Sequence, residues 1–392
     1  MLSVSRLLNG VVGVQEALRY GQRASDCPPH LLHFAREKNP VVVWNTTRRC
    51  NLHCAQCYSD SHDREYPGEL TTAEGLALLD DLALFGVPTV LFSGGEPLLR
   101  HDLFELARHA RRNGLRTVLS TNGTRLNDQA AERLADAGVS YAGVSIDGIG
   151  ARHDKMRGSR GAFDAAVAGI GSAQRAGLRT GLRFTLTGLN RADLGATFEL
   201  AEELGVQRLC IYHLAYAGRG ERIRRHDLTP EQTRVAVEEI FDRTEALGRR
   251  GSQLEVLTVD NPADNVLLLQ RLRARDPERA QEVEQLLRWN GGNQSGIAVA
   301  SIDPTGGVHP DQFSWHVTAG NVRDRPFSAI WNDSNPVLAP YRARPRGING
   351  RCAGCRFFDL CNGGLRVRAE SATGDPSAPD PACYLTDAEI AA

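Results

Sequence analysis

Val41-Val42-Val43-Trp44-Asn45-Thr46 leads, through Thr47-Arg48-Arg49, into Cys50-Asn51-Leu52-His53-Cys54-Ala55-Gln56-Cys57. The opening run is β-branched and aromatic, as a buried strand requires. The C-x3-C-x2-C spacing that follows begins four residues past the predicted strand end at Thr46, so its three cysteines fall in a loop. Outward from this stretch, further β-rich runs lie at Thr89–Ser93, Arg116–Thr121, Tyr141–Asp147, Gly181–Thr187 and Arg208–Leu214. Helical patterns fill the gaps at Thr72–Phe85, Asp102–Asn113, Asp128–Ala137, Ala162–Ala176, Leu194–Leu204 and Pro230–Leu247. Such alternation builds a parallel sheet with crossover helices, and the loops after its strands lie where α/β folds place their chemistry. Six βα units are too few to close an eight-stranded barrel. The expected fold is therefore α/β, a partial (β/α)6 barrel splayed open at one side, with a small C-terminal loop-rich domain.

Around this barrel, residues 1–39 read as an N-terminal extension, 40–250 as the barrel, 251–300 as a charged helical connector, and 301–392 as the loop-rich domain, which needs a staple other than a large core. The 392 residues carry a formal net charge of -1, without the sign bias that attracts nucleic acid or a membrane surface. The longest uncharged stretches, Leu82–Gly95 and Trp289–Ile302, are 14 residues each, short of the roughly 20 a spanning helix needs. No export signal is apparent, so a cytoplasmic location is expected. In that compartment nine cysteines point to metal ligation or catalysis rather than disulfides, and seven of them fall in two groups.

The two groups differ in how many thiolates they offer. Cys50, Cys54 and Cys57 can hold three irons of a 4Fe-4S cluster and leave the fourth open. The alternative, zinc, needs a fourth ligand, and the nearest, His53, lies inside the spacing itself. Cys352, Cys355, Cys361 and Cys383, spaced C-x2-C-x5-C-x21-C, can close a site around either a structural zinc or a second 4Fe-4S cluster. Cys210, inside the apolar run Leu209–Leu214, reads as a small buried hydrophobe, and Cys27 stands before two prolines with no evident role.

The C-x3-C-x2-C loop, followed at the end of the next strand by Gly94-Gly95-Glu96-Pro97, resembles the radical S-adenosylmethionine (SAM) enzymes. It departs from their usual aromatic before the last cysteine, having Gln56 there. The resemblance implies that SAM is cleaved reductively at the open iron to a 5'-deoxyadenosyl radical. It also implies that Gly94, Gly95, Glu96 and Pro97 receive the SAM amino group, and that the strand-end residues Ser120, Asn122, Ser145, Asp147, Arg183 and Thr185 contact its carboxylate and ribose. The second cysteine group, with Gly320-Asn321-Val322-Arg323 before it, is similar to the auxiliary-cluster (SPASM or twitch) tails of the same family, which implies one further 4Fe-4S cluster, two in all.

A resemblance over almost the whole chain narrows this to the branch that works on siroheme-derived tetrapyrroles. It rests on Asn39–Asn45, on Tyr212-His213-Leu214 with Tyr216–Gly220, on Leu257-Thr258-Val259-Asp260-Asn261, and on the tail Arg366-Val367-Arg368 to Asp380–Leu385. One group in that branch removes acetate side chains of 12,18-didecarboxysiroheme to give Fe-coproporphyrin III, and a sister group acts on the propionates of the same molecule. Leu257–Asn261 and an extension containing Ala17–Gly21 favour the first. The implied substrate, a flat iron-bearing polycarboxylate, calls for arginines and an imidazole. Arg219, Arg366, Arg368 and His213 are the expected substrate residues, with His309, His316 and the Arg222–Arg225 run nearby. A low-potential donor such as flavodoxin or ferredoxin is the implied protein partner, with no nucleic acid or membrane. Two other readings are compatible with these motifs: a peptide-modifying radical SAM maturase and a non-catalytic iron-sulfur electron carrier.

Overall fold

In the computed structural model, which describes residues 2–10, 39–332 and 334–391, one sheet carries eleven strands. In chain order these are β1 (Leu2–Ser3), β2 (Val41–Thr47), β3 (Val90–Gly94), β4 (Thr117–Thr121), β5 (Val139–Ser145), β6 (Arg179–Leu186), β7 (Arg208–His213), β8 (Glu255–Val259), β9 (Val299–Ile302), β10 (Gly307–His309) and β11 (Gly320–Asn321). In space they run β1-β8-β7-β6-β5-β4-β3-β2-β9-β10-β11. The strands from β8 across to β9 are parallel. The sheet does not close on itself, because β1 pairs antiparallel on β8 at one edge and β10 antiparallel on β9 at the other. Cys27 and Ala17–Gly21 lie outside the described residues.

The helices form where their caps dictate. Thr71 and Glu74 make a capping box that starts the helix Thr72–Phe85, and Gly86 ends it in the left-handed conformation. Thr229 and Gln232 repeat the box for Pro230–Arg249, with proline in its first turn. Trp44 and Phe92, fully buried on β2 and β3, meet with ring centroids 5.8 Å apart and help to centre the core below the cluster loop.

The parallel run is longer than six units because the sheet crosses both borders of the predicted connector. Leu254 to Val259 is buried throughout, so it carries none of the alternation that marks a half-exposed strand. The helices Ala263–Arg275 and Pro277–Asn290 follow it, and β9 then joins the far side of β2. Before the barrel, Leu2–Leu8 is fastened at Glu255, which accepts from Ser3 Oγ at 3.1 Å, Arg6 Nε at 2.6 Å and Arg208 Nη2 at 2.6 Å. Among the described residues no helix is long and apolar enough to cross a membrane.

Candidate active site at the carboxyl ends of the strands

The cluster loop leaves β2 and is held by backbone on three sides. Gly95 N donates to Thr47 O and Glu96 N to Arg49 O, both at 2.8 Å. A Cβ on Gly94 (φ 134°) would come within 2.2 Å of Thr47 O, and one on Gly95 within 2.2 Å of Arg49 O. The glycines are therefore required for strand β3 to lie against the cysteine loop. From the second side, His53 N and Ala55 N donate to Arg157 O and Met156 O, at 3.2 and 2.8 Å. From the third, Arg219 N donates to Cys57 O at 2.8 Å.

All three thiols line one cavity, with Gly94, Gly95, Ser120, Asn122 and Ser145 at the strand ends above the core. Arg183, Thr185, Tyr212 and His213 form its far wall. Burial pushes the Cys50 thiol up to about 12 and Cys54 in the same direction. Arg157 opposes this at Cys54, with Nη1 3.4 Å from Sγ. The other end of the same guanidinium pairs with the fully buried Asp147, and Gln56 Nε2 joins that carboxylate. Arg157 thus places a positive charge beside the Cys54 thiol, which favours the thiolate form that a metal site would need. On sequence it passes for the last surface charge of a short helix, because its role depends on Gly158, which turns the chain back under His53.

A second cavity continues inward from the first, sharing Val43, Leu91, Arg183, Tyr212, Asp260 and Phe313 with it. The Arg183 guanidinium stands 4.7 Å over the Tyr212 ring and makes no hydrogen bond or ion pair among the described residues, so it remains available to a carboxylate. Asp260 follows β8 with φ 71°, a left-handed conformation unusual for aspartate. Its Oδ2 is sealed without a hydrogen-bond partner, and burial pushes its carboxyl up to about 6.

The second cysteine group occupies the tail. Burial pushes Cys352 up to about 11 and Cys361 strongly upward; at both thiols the charge of Cys383 is the next cause. Electrostatically the thiols therefore share one environment. Arg366, buried beside them, gives Nη1 to Pro376 O at 2.9 Å and Ala378 O at 2.7 Å, while its Nε and Nη2 have no partner. Sealed donors of this kind, facing a cluster of thiols, suit the sulfurs of a bound iron-sulfur group.

Residues 44–201 match the family model of the Radical SAM superfamily. The chain is 50% identical over 394 residues to a Fe-coproporphyrin III synthase of Methanosarcina barkeri, covering all of this chain and 99% of that one. It is 46% identical over 353 residues to a pre-heme d1 synthase of Dinoroseobacter shibae, covering 89% of this chain and 87% of that one. This chain belongs to the radical SAM superfamily. The fold agrees: SuiB of Streptococcus suis bound to S-adenosylmethionine superposes with a TM-score of 0.71 at 18% identity, over 89% of this chain and 78% of that one. As a radical SAM enzyme it uses SAM and a 4Fe-4S cluster, and the Cys50, Cys54 and Cys57 thiols around one cavity, with Arg157 beside them, fit that group.

Several expected ligand-contacting residues of this radical SAM enzyme turn out to hold the scaffold. Glu96 is fully buried and does not line the cavity: Oε1 accepts Thr121 Oγ1 at 2.8 Å and Leu98 N at 3.1 Å, and Oε2 accepts Asn122 N at 2.8 Å. Pro97 starts a buried 3-10 turn behind it. Asp147 accepts Thr185 N at 2.7 Å and pairs with Arg157, which leaves it no face toward a ribose. Arg219 holds the cluster loop, Nε donating to Cys54 O at 2.7 Å and Nη1 to Asp60 and Ser61 O at 2.9 Å, while its buried Nη2 has no partner. Arg368, with no exposed surface, clamps Asp380 through Nε at 2.9 Å and Nη2 at 2.8 Å and reaches Leu214 O at 2.9 Å. In each case a charge that reads as ligand-directed in one dimension meets a backbone carbonyl or a buried partner in three. Arg368 is engaged at all three nitrogens, whereas Arg219 and Arg366 combine backbone clamps with buried donors that have no partner. His309 and His316 are likewise engaged, the first between Val317 O and Asp303, the second by Glu370. Cys210 is buried, as its apolar run requires.

Proposed function

We propose that this enzyme removes the acetate side chains of 12,18-didecarboxysiroheme to give Fe-coproporphyrin III. The observation that carries this is the end-to-end 50% identity with the Methanosarcina barkeri synthase, against 46% over 353 residues with the pre-heme d1 synthase. Cys50, Cys54 and Cys57 would hold a 4Fe-4S cluster, which when bound would supply the electron for reductive cleavage of SAM. Ser120, Asn122, Ser145 and Thr185 orient SAM from the strand ends, with Gly94 and Gly95 giving it room. Arg157 supports the thiolates. Arg183 pairs a carboxylate on the boundary of the two cavities. Tyr58, Tyr212 and Phe313 wall the cavity with rings that exclude water.

Cys352, Cys355, Cys361 and Cys383 hold a second 4Fe-4S cluster in this reading, and a flavodoxin or ferredoxin delivers the electron. The deciding experiment is anaerobic incubation of the reconstituted enzyme with didecarboxysiroheme, SAM and a reductant, followed by product mass. Loss of two acetate units with intact propionates is expected. Loss of propionates would assign the enzyme to the heme d1 reaction.

A further inference from the structure

His213 is the last residue of β7 and lines the cavity above the first cysteine group. Its Nε2 stands 3.0 Å from Asp264 Oδ2, and Asp264 Oδ1 accepts the Tyr384 hydroxyl at 2.7 Å. Asp264 has no exposed surface. A carboxylate at that distance holds the ring proton on Nε2, so the imidazole lone pair sits on Nδ1. Nδ1 makes no hydrogen bond among the described residues. An imidazole oriented by a buried carboxylate through one nitrogen, with the other free toward a cavity, is the arrangement metal-ligating histidines adopt. The neighbouring histidines differ. His309 has both ring nitrogens engaged, and His316 lies half in solvent against Glu370.

We infer that His213 is the axial ligand to the iron of the substrate, bound through Nδ1, with Asp264 and Tyr384 fixing the ring. This rests on the tetrapyrrole reading above and deepens it. The iron here belongs to the substrate, so ligation fixes the macrocycle's height and tilt over the cavity while carboxylate contacts fix its rotation. The His213–Asp264–Tyr384 chain also ends one residue from the cluster-group residue Cys383, so the tail and the substrate ligand are positioned by one hydrogen-bonded unit.

The test uses the reconstituted enzyme under anaerobic conditions, titrated with ferric Fe-coproporphyrin III and, separately, with metal-free coproporphyrin III. The parent should bind the iron complex with a shifted Soret band and, once the porphyrin iron is reduced, should show the iron–nitrogen stretching band of a five-coordinate imidazole complex. His213→Ala and His213→Gln should lose that signature and bind the iron complex roughly tenfold more weakly, as loss of one coordinate contact of about 1.4 kcal/mol would give. Their affinity for the metal-free porphyrin should stay within about threefold of the parent, well under 1 kcal/mol. Added imidazole should restore the signature in His213→Ala. Asp264→Asn should keep ligation but lower the iron–nitrogen stretching frequency, because the ring becomes less anionic. Retention of the parent spectrum in both His213 variants, or equal loss of the metal-free porphyrin, would overturn the assignment while leaving the tetrapyrrole reading intact. A parent that binds neither porphyrin would overturn both.

Discussion

The two cysteine groups of this enzyme are built by opposite means. Cys50, Cys54 and Cys57 sit on a loop whose backbone is stitched to the parallel sheet by Gly95, Glu96, Arg157 and Arg219, so the main fold itself shapes the open site. Cys352, Cys355, Cys361 and Cys383 span a tail of short turns that is tied to the barrel mainly by side chains: Arg368 reaches Leu214 O and Asp260 O, Tyr384 donates to Asp264, and Asn261 and Asn265 donate to Ala382 O and Leu360 O. A site that has to exchange ligands is embedded in a large core, where its shape survives an empty coordination position. A site that only has to stay closed can help to fold the segment around it. The difference predicts that the groups fail independently.

The largest effect should come from removing the first group. The Cys50/Cys54/Cys57→Ala triple variant should form no 5'-deoxyadenosine but retain about four irons per chain, against about eight in the parent. Iron near four in the parent, or zinc in the tail, would break the comparison. The converse variant, with the four tail cysteines changed to alanine, should show a loosened C-terminus in limited proteolysis while its remaining cluster still responds to SAM in its electron paramagnetic resonance spectrum.

Next in size is Arg368→Met, which strips a buried partner from Asp380. Breaking a buried pair of this kind costs about 3–5 kcal/mol. Because two of the lost bonds, to Leu214 O and Asp260 O, join the tail to the strand ends, denaturant unfolding should become biphasic, with any iron held by the tail cysteines lost in the first phase. A single cooperative transition at a lower midpoint would mean that the tail and sheet unfold as one unit and that the contrast between them is only geometric.

Arg157→Leu should act on the other side. It leaves Asp147 buried without its cation and removes the donor at Cys54. Reconstitution of the first cluster should suffer, and Arg157→Lys should recover part of it. The tail's cluster should be indifferent to both changes.

The order in which these residues became visible has a physical basis. The barrel strands and helices were legible because each has its own period and cap; the helix Thr72–Phe85 begins and ends where the Thr71 box and Gly86 place it. The cysteine groups were legible because metal ligation fixes spacing along the chain. Strand β8 was not, since burial on both faces erases alternation, and β9 to β11 are too short to show any. The arginines were the hardest to place. Guanidinium groups bind carboxylates and backbone carbonyls with similar geometry, and only the fold decides which is within reach: Arg368 is spent inside the protein and Arg219 largely so, whereas Arg183, which reads as a SAM contact on β6, keeps its donors.

Arg366 gives the smallest and most discriminating effect. As a residue near the substrate opening it would be expected to pair a substrate carboxylate, and its loss would then weaken substrate binding tenfold to a hundredfold, on the order of 1.5–3 kcal/mol. Its surroundings argue otherwise. Nη1 is tied to Pro376 O and Ala378 O, the side chain does not line either strand-end cavity, and the unpartnered Nε and Nη2 lie among charges from Asp380, Cys352 and Cys361. A cation beside a second cluster held by these thiols would stabilise its reduced, more negative state. Arg366→Gln should therefore lower that cluster's midpoint potential, measured by redox titration, and leave both the first cluster's potential and the affinity for didecarboxysiroheme nearly unchanged. If the affinity falls tenfold and the potential stays fixed, Arg366 reaches substrate after all, and the tail contributes to the active site by direct contact rather than through its cluster.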